Sequence, residues 1–136
     1  YEKVKNELSN DLDVIFLDSF HEAEHVSKII YTYYKHLKKG GYFFIDDISW
    51  VPYLKNSYRD NFWCEINNKE TFTKIVNIYS ENYLNFDLEF TFISSGFAVI
   101  KKKTLNDLNQ IDIKKDRSLS VKNLLRLIKK KIKIEK

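Results

Sequence analysis

The sequence predicts an α/β domain whose sheet is mostly parallel and closes with an antiparallel hairpin. Three observations carry that expectation. The run "DVIFLD" (13–18) is apolar, of strand length, and ends on an acid. The run "YFFIDD" (42–47) repeats the theme. Between them, residues 19–39 keep helical spacing and Gly40 with Gly41 follows, which gives a crossover long enough for parallel, right-handed pairing of the two strands.

Residues 1–9 read as the end of a short helix, with Val4 and Leu8 four apart and a break at Asn10 and Asp11. "VIFL" suits a strand buried on both faces. Over 19–39, Ala23, Val26, Ile29, Ile30, Tyr33, Tyr34 and Leu37 form the apolar stripe of a helix. Ser19 and Glu22 have capping-box spacing at its start. Lys35, Lys38 and Lys39 suit the negative end of its dipole, and Gly40 with Gly41 supplies a left-handed stop.

Residues 48–68 make a connection of the length used for lids or insertions. It carries Trp50 and Trp63 with Tyr53, Tyr58 and Phe62. Helical spacing returns over 69–83 through Phe72, Ile75, Val76, Tyr79 and Tyr83. "LEFTFISSGFAVIKKK" predicts a hairpin of strands 88–93 and 97–102 around "SSG". A polar linker, 104–116, then leads to a helix over 118–134 with Val121, Leu124, Leu125, Ile128 and Ile132 on one side.

A length of 136 residues suits one domain. With 43% hydrophobic residues, three Gly and one Pro, the collagen-like and glycine-rich disordered classes are excluded. The net charge of +4 divides unevenly, −2 over 1–103 and +6 over 104–136. The expected organisation is therefore a folded unit, 1–103, followed by a basic, amphipathic tail, 104–136. Such a tail suits an anionic membrane surface, a nucleic acid, or a docking surface on another domain. Cys64 stands alone, which favours a reducing, cytoplasmic compartment, with peripheral membrane contact left to the tail. No apolar run approaches the ~18 residues that span a bilayer. The charged start is unlike a signal peptide. It lacks Met and opens mid-pattern, so a piece of a longer chain is expected.

The acids at the strand ends are the candidate site. In open parallel sheets ligands bind beyond the carboxyl ends of the strands. Neighbouring strands lie ~4.8 Å apart, so Asp18, Asp46 and Asp47 are expected to share one rim. Carboxylates so crowded need a cation, a donor or a proton, and Mg²⁺ is the simplest relief. Acids here equally serve as caps and turn formers, Asp18 for the helix that follows. His21 is either a general base or a surface histidine. His25 and His36 read as helix-surface residues.

These stretches resemble a family. "DVIFLDSFHEAEHV", "LKKGGYFFIDD" and "FTFISSGFAVIKK" look like the second half of a class I S-adenosylmethionine-dependent methyltransferase, over residues 1–103. The resemblance is to metal-dependent small-molecule O-methyltransferases of the catechol and macrocin O-methyltransferase types. "DSFHEA" is similar to the "DG-H-Y" element of the latter, with Ser19 in place of the glycine and Ala23 in place of the tyrosine. The resemblance implies a partial Rossmann-like fold, strands 4-5-7-6, with S-adenosylmethionine as methyl donor. It implies Asp18, Asp46 and Asp47 as Mg²⁺ ligands, with Asp18 and His21 in catalysis. Trp50 and Tyr53 would close over a small hydroxylated substrate. The family's glycine-rich cofactor loop has no counterpart, so no cofactor-binding residue is assigned. Strand "VIFL" would then expose an apolar edge needing an N-terminal half or an oligomer partner.

Two other classes compete. The strand-plus-acid pattern also fits the back half of a P-loop NTPase, whose G-x-x-x-x-G-K-[ST] loop is absent. The non-enzymatic alternative is a remnant or accessory domain that binds an acidic partner through its tail.

Overall fold

The structure is a computed structural model that describes residues 8–49, 62–110 and Leu125, the side chains of 62–65 excepted. The expected helices at 1–9 and 118–134 lie outside the described residues, Leu8, Ser9 and Leu125 apart, as do Trp50, Tyr53, Tyr58 and the side chains of Phe62 and Trp63. The elements run β1 (Leu12–Leu17), α1 (Ala23–Tyr33), a 3-10 turn (Tyr34–His36), β2 (Leu37–Asp46), α2 (Phe62–Asn82), β3 (Phe86–Thr91) and β4 (Phe97–Lys102). The sheet order is β1-β2-β4-β3. β1 and β2 are parallel, and β4 is antiparallel to both β2 and β3. The parallel strand–helix–strand unit and the closing hairpin are as expected, although β3 starts and ends two residues early.

The crossover differs from expectation at both ends. The capping box does not form, since the helix starts at Ala23 with Glu22 as N-cap and no capping side chain. The Ser19 hydroxyl instead lies 3.1 Å from His25 Nε2. At the other end the helix gives way after Tyr33 to the 3-10 turn, and the glycines are not its stop. They sit inside β2, where the register jumps between Leu12↔Leu37 and Val14↔Tyr42. Gly40 takes φ +85 in this bulge, and a Cβ on Gly41 would stand 3.0 Å from the carbonyl oxygens of Leu12 and Asp13. A helix stop and a bulge ask the same of glycine, namely positive φ or no Cβ. Lys38, expected at the helix end, pairs with Asp13 across the bulge.

Helix α2 begins seven residues before the predicted start. Its buried stripe is Asn68, Thr71, Ile75, Ile78 and Asn82, helical in spacing but polar at both ends. That polarity hid its true length. The core lies between α1, α2 and one face of the sheet, with Val26, Ile30, Tyr34, Phe43, Ile45, Ile75, Ile78, Phe86 and Ile100 all buried. The other face is open among the described residues. Val14 and Phe16 are 53% and 57% exposed there, so β1 is not buried on both faces as expected. Phe16 meets Phe44 and Phe97 on that face, at centroid distances of 6.4 and 6.1 Å.

Candidate functional site

β1 and β2 run parallel in the register Leu17↔Ile45, which brings the residues just beyond each strand to the same end of the sheet. Asp18 leaves β1 there, and Asp46 closes β2. The loop 18–22, freed by the late start of α1, carries His21 back over this end. The Thr71 hydroxyl of α2 donates to the His21 carbonyl at 2.9 Å and fixes the loop. His21 Nε2 then lies 3.2 Å from Asp47 Oδ2 and 3.9 Å from Asp18 Oδ1. The first distance is near hydrogen-bond length, whereas the second is only an electrostatic neighbour. His21 keeps 28% of its side chain exposed, so the imidazole is within reach of a small molecule.

Asp46 does not join this contact. Its Oδ1 accepts from the Asp47 N–H at 2.7 Å and from the Ser95 hydroxyl at 2.8 Å. Asp47 takes φ +56, a left-handed conformation that Asp tolerates better than most residues. The expected rim exists, but it holds a histidine between two of the three acids. Among the described residues no three His, Cys, Asp or Glu side chains group as a metal site. The described geometry gives the Mg²⁺ expectation no support: Asp46 Oδ1 is engaged by Ser95 and the Asp47 N–H, and the Asp47 carboxylate has His21 beside it on this rim. S-adenosylmethionine meets a similar test. Gly40 and Gly41 shape the bulge of β2 and Gly96 shapes the hairpin turn, so the three glycines are committed to local structure. No glycine-rich cradle forms among the described residues.

Of the other histidines, His25 packs edge-on against Phe20 at 6.0 Å, near the surface as expected. His36 is not a surface residue. It is 3% exposed, and neither ring nitrogen has a hydrogen-bond partner among the described residues. Sequence reasoning missed Ser95 and Thr71. Ser95 carried only the signal of a turn, "SSG", and Thr71 only a place in a helical stretch.

A cleft of about 410 Å³ lies at the opposite end of the sheet, lined by Asn82, Asn85, Asp107 and Asn109 among others. Its amides are turned to protein partners. Asn82 Oδ1 accepts from the Asn109 N–H at 2.7 Å, and Asn85 Oδ1 accepts from the Thr104 hydroxyl at 3.1 Å. These bonds strap residues 104–109 to the α2–β3 turn. This cleft is part of the scaffold, and the rim is the candidate site.

No family model matches the sequence, and no curated protein matches it significantly. Among solved structures, the chain is similar to the SAH-bound methyltransferase PaMTH1 of Podospora anserina, at 15% identity and a TM-score of 0.55. The match covers 75% of this chain and 45% of that one, so this chain spans less than half the length of its neighbour. The likeness shows the fold: a mixed four-stranded sheet with two helices, part of a methyltransferase-like α/β architecture. No helix among the described residues is long and apolar enough to cross a membrane.

Proposed function

We propose that this chain is the acceptor-activating part of an S-adenosylmethionine-dependent O-methyltransferase that acts on a small hydroxylated molecule. One observation carries the reading. His21 is held 3.2 Å from Asp47, with Asp18 beside it, at the carboxyl end of the parallel pair. The similarity to an SAH-bound methyltransferase supports the same direction. S-adenosylmethionine, when bound, supplies a methyl group activated on a sulfonium. With Nε2–H directed at Asp47, the other ring nitrogen of His21, Nδ1, takes the hydroxyl proton of the acceptor, and the two carboxylates stabilise the imidazolium that results. Asp47 also sets the direction of the ring. The loop tie from Thr71 keeps the imidazole in place, since misplacement by even ~1 Å costs rate.

In the family resembled, a metal activates the hydroxyl. In our reading His21 takes that task, supported by its place beside Asp47 and Asp18. The test uses the full-length protein. Calorimetry with S-adenosylhomocysteine should show binding, and transfer to a catechol or diol should proceed in EDTA. H21Q should lower kcat by about 10²–10⁴-fold. Binding without any loss of turnover in H21Q, or abolition of turnover by EDTA alone, sinks the histidine reading.

A further inference from the structure

The alternation of β2 sends Phe43 and Ile45 to the helix-covered core and Tyr42 and Phe44 to the open face. An extended Asp47 would follow the first pair, towards the core. Its left-handed backbone, φ +56, breaks that alternation and leaves its carboxylate beside His21 instead. The turn has an identifiable hold. Asp46 Oδ1 accepts the Asp47 N–H, so the side chain of one residue closes a ring over the backbone of the next. That carboxylate is itself fixed by the Ser95 hydroxyl, which comes from the β3–β4 hairpin.

The hairpin is locked in turn to the exit of β2. The Ser49 N–H donates to the Ser95 carbonyl at 2.9 Å, and the Ile48 N–H donates to the Gly96 carbonyl at 3.4 Å. Gly96 takes φ +76, and a Cβ there would stand 2.6 Å from Ser49 Cβ. The approach of hairpin and strand exit is therefore close and specific.

We propose that Asp46 and Ser95 are positioning residues: they hold the Asp47 backbone in the conformation that aims its carboxylate at His21. This rests on His21 as the proton acceptor. It assigns Asp46 a role in which its charge is dispensable and its acceptor oxygen is not. Ser95 contributes a donor, and threonine supplies the same donor.

The experiment uses the full-length protein with D46A, D46N, S95A and S95T, each checked for an intact amide spectrum. The first readout, independent of turnover, is the nuclear Overhauser contact between the His21 ring protons and the Asp47 β protons. The second is the separation of kcat from KM for the hydroxyl acceptor at saturating donor. D46A and S95A are expected to lose the contact and to drop kcat by about 10- to 100-fold with KM unchanged. D46N and S95T are expected to keep the contact and stay close to wild type. An intact contact in D46A and S95A overturns the proposal, as does D46N falling as far as D46A. A lost contact with undiminished turnover leaves the positioning standing and removes His21 as proton acceptor, so the two failures are told apart.

Discussion

Strand β4 ends in charge at one extremity and leads into the acidic rim at the other, and the two ends handle their polar groups in opposite ways. At its far end Lys102 is 3% exposed. Its ammonium donates to the carbonyls of Leu37 at 2.7 Å and of Tyr34 and Lys35 at 3.2 Å, and lies 4.8 Å from the Tyr34 ring centroid. These carbonyls gather where the 3-10 turn passes into β2, the Tyr34 carbonyl also accepting from the Leu37 N–H, and a cation is favoured at a helix end. At the near end, the residues before Phe97 meet Asp46, while Asp47 and His21 stay partly exposed and the backbone is held in a less favoured region. At the buried end the Lys102 ammonium has three carbonyl acceptors, and the arrangement serves stability. The rim keeps a titratable contact within reach of solvent, as a reactive site must.

The comparison breaks first at Lys102. K102A would remove three ammonium bonds from the buried end, while the Tyr34 carbonyl keeps the Leu37 N–H, and K102M would restore bulk but not the bonds. Either should cost about 2–4 kcal/mol of unfolding free energy, since lost bonds to a charged group and stranded acceptors add to the lost packing. Urea denaturation measures this, and the folded fraction should keep its catalytic constant. A loss below about 0.5 kcal/mol, the ordinary range for surface positions, would mean that the plug is not what holds this end.

Gly96 sharpens the contrast, because there a packing defect reaches the rim. G96A places a methyl against Ser49 and forces a left-handed φ on a residue with a Cβ. The expected cost is about 1–3 kcal/mol. Unlike K102A, this variant should also lose turnover in its folded fraction, because Ser95 is displaced from Asp46. If G96A cost stability and left kcat untouched, the hairpin would not support the rim.

The alkaline limb of stability separates the two groups at the buried end. Burial first, and Asp107 second, push the Tyr34 hydroxyl well above the usual phenol value of ~10. Above that pH the folded protein binds more protons than the unfolded chain, so Tyr34's contribution is whole below pH ~10 and lost as pH rises. Burial pulls the Lys102 ammonium below its usual value, with Asp107 opposing. Between that lowered value and ~10.4 the unfolded chain binds more protons, so Lys102's contribution improves as pH rises. Compared with wild type, Y34F should remove the alkaline loss and K102M the preceding gain. Denaturation midpoints across about pH 8–11 test both, and a Y34F difference that stays flat would contradict the burial of the hydroxyl.

How much of this the sequence disclosed follows the same division. "VIFLD", "YFFIDD" and "FAVIKK" were legible as strands because an apolar run of strand length is a local signal, although which face of β1 is covered was not. Lys102 was not, since "IKKK" reads as a solvated end. Only the alternation Ala98, Ile100, Lys102 points it inward, and charge argues the other way. Asp18, Asp46 and Asp47 were expected at one rim, because parallel pairing alone brings strand-end residues to the same end. His21 was placed only in the first turn of the following helix. The part of Asp46 was not legible. Whether a carboxylate faces the rim or its own backbone depends on Ser95, forty-nine residues further on. Ser19 and Glu22 matched a cap by spacing, yet the contact with His25 and the path of His21 outweighed it.

The smallest energetic effect carries the sharpest form of the comparison. D47G removes a side chain from a backbone position with φ +56 and replaces it by the residue that takes that conformation most readily. Relief of the left-handed strain is set against the loss of one partly exposed contact with His21, itself worth about 0–1 kcal/mol. The net change in stability should therefore lie within about 1 kcal/mol of zero, with gain the expected sign. Turnover should nevertheless collapse, because the imidazole loses the carboxylate that orients it. Stability retained with activity lost is what a conformation kept for chemistry predicts. If D47G destabilised as K102A does, Asp47 would be a structural residue and the two ends of β4 would be alike. If D47G turned over normally, the contact with His21 would be incidental to the reaction.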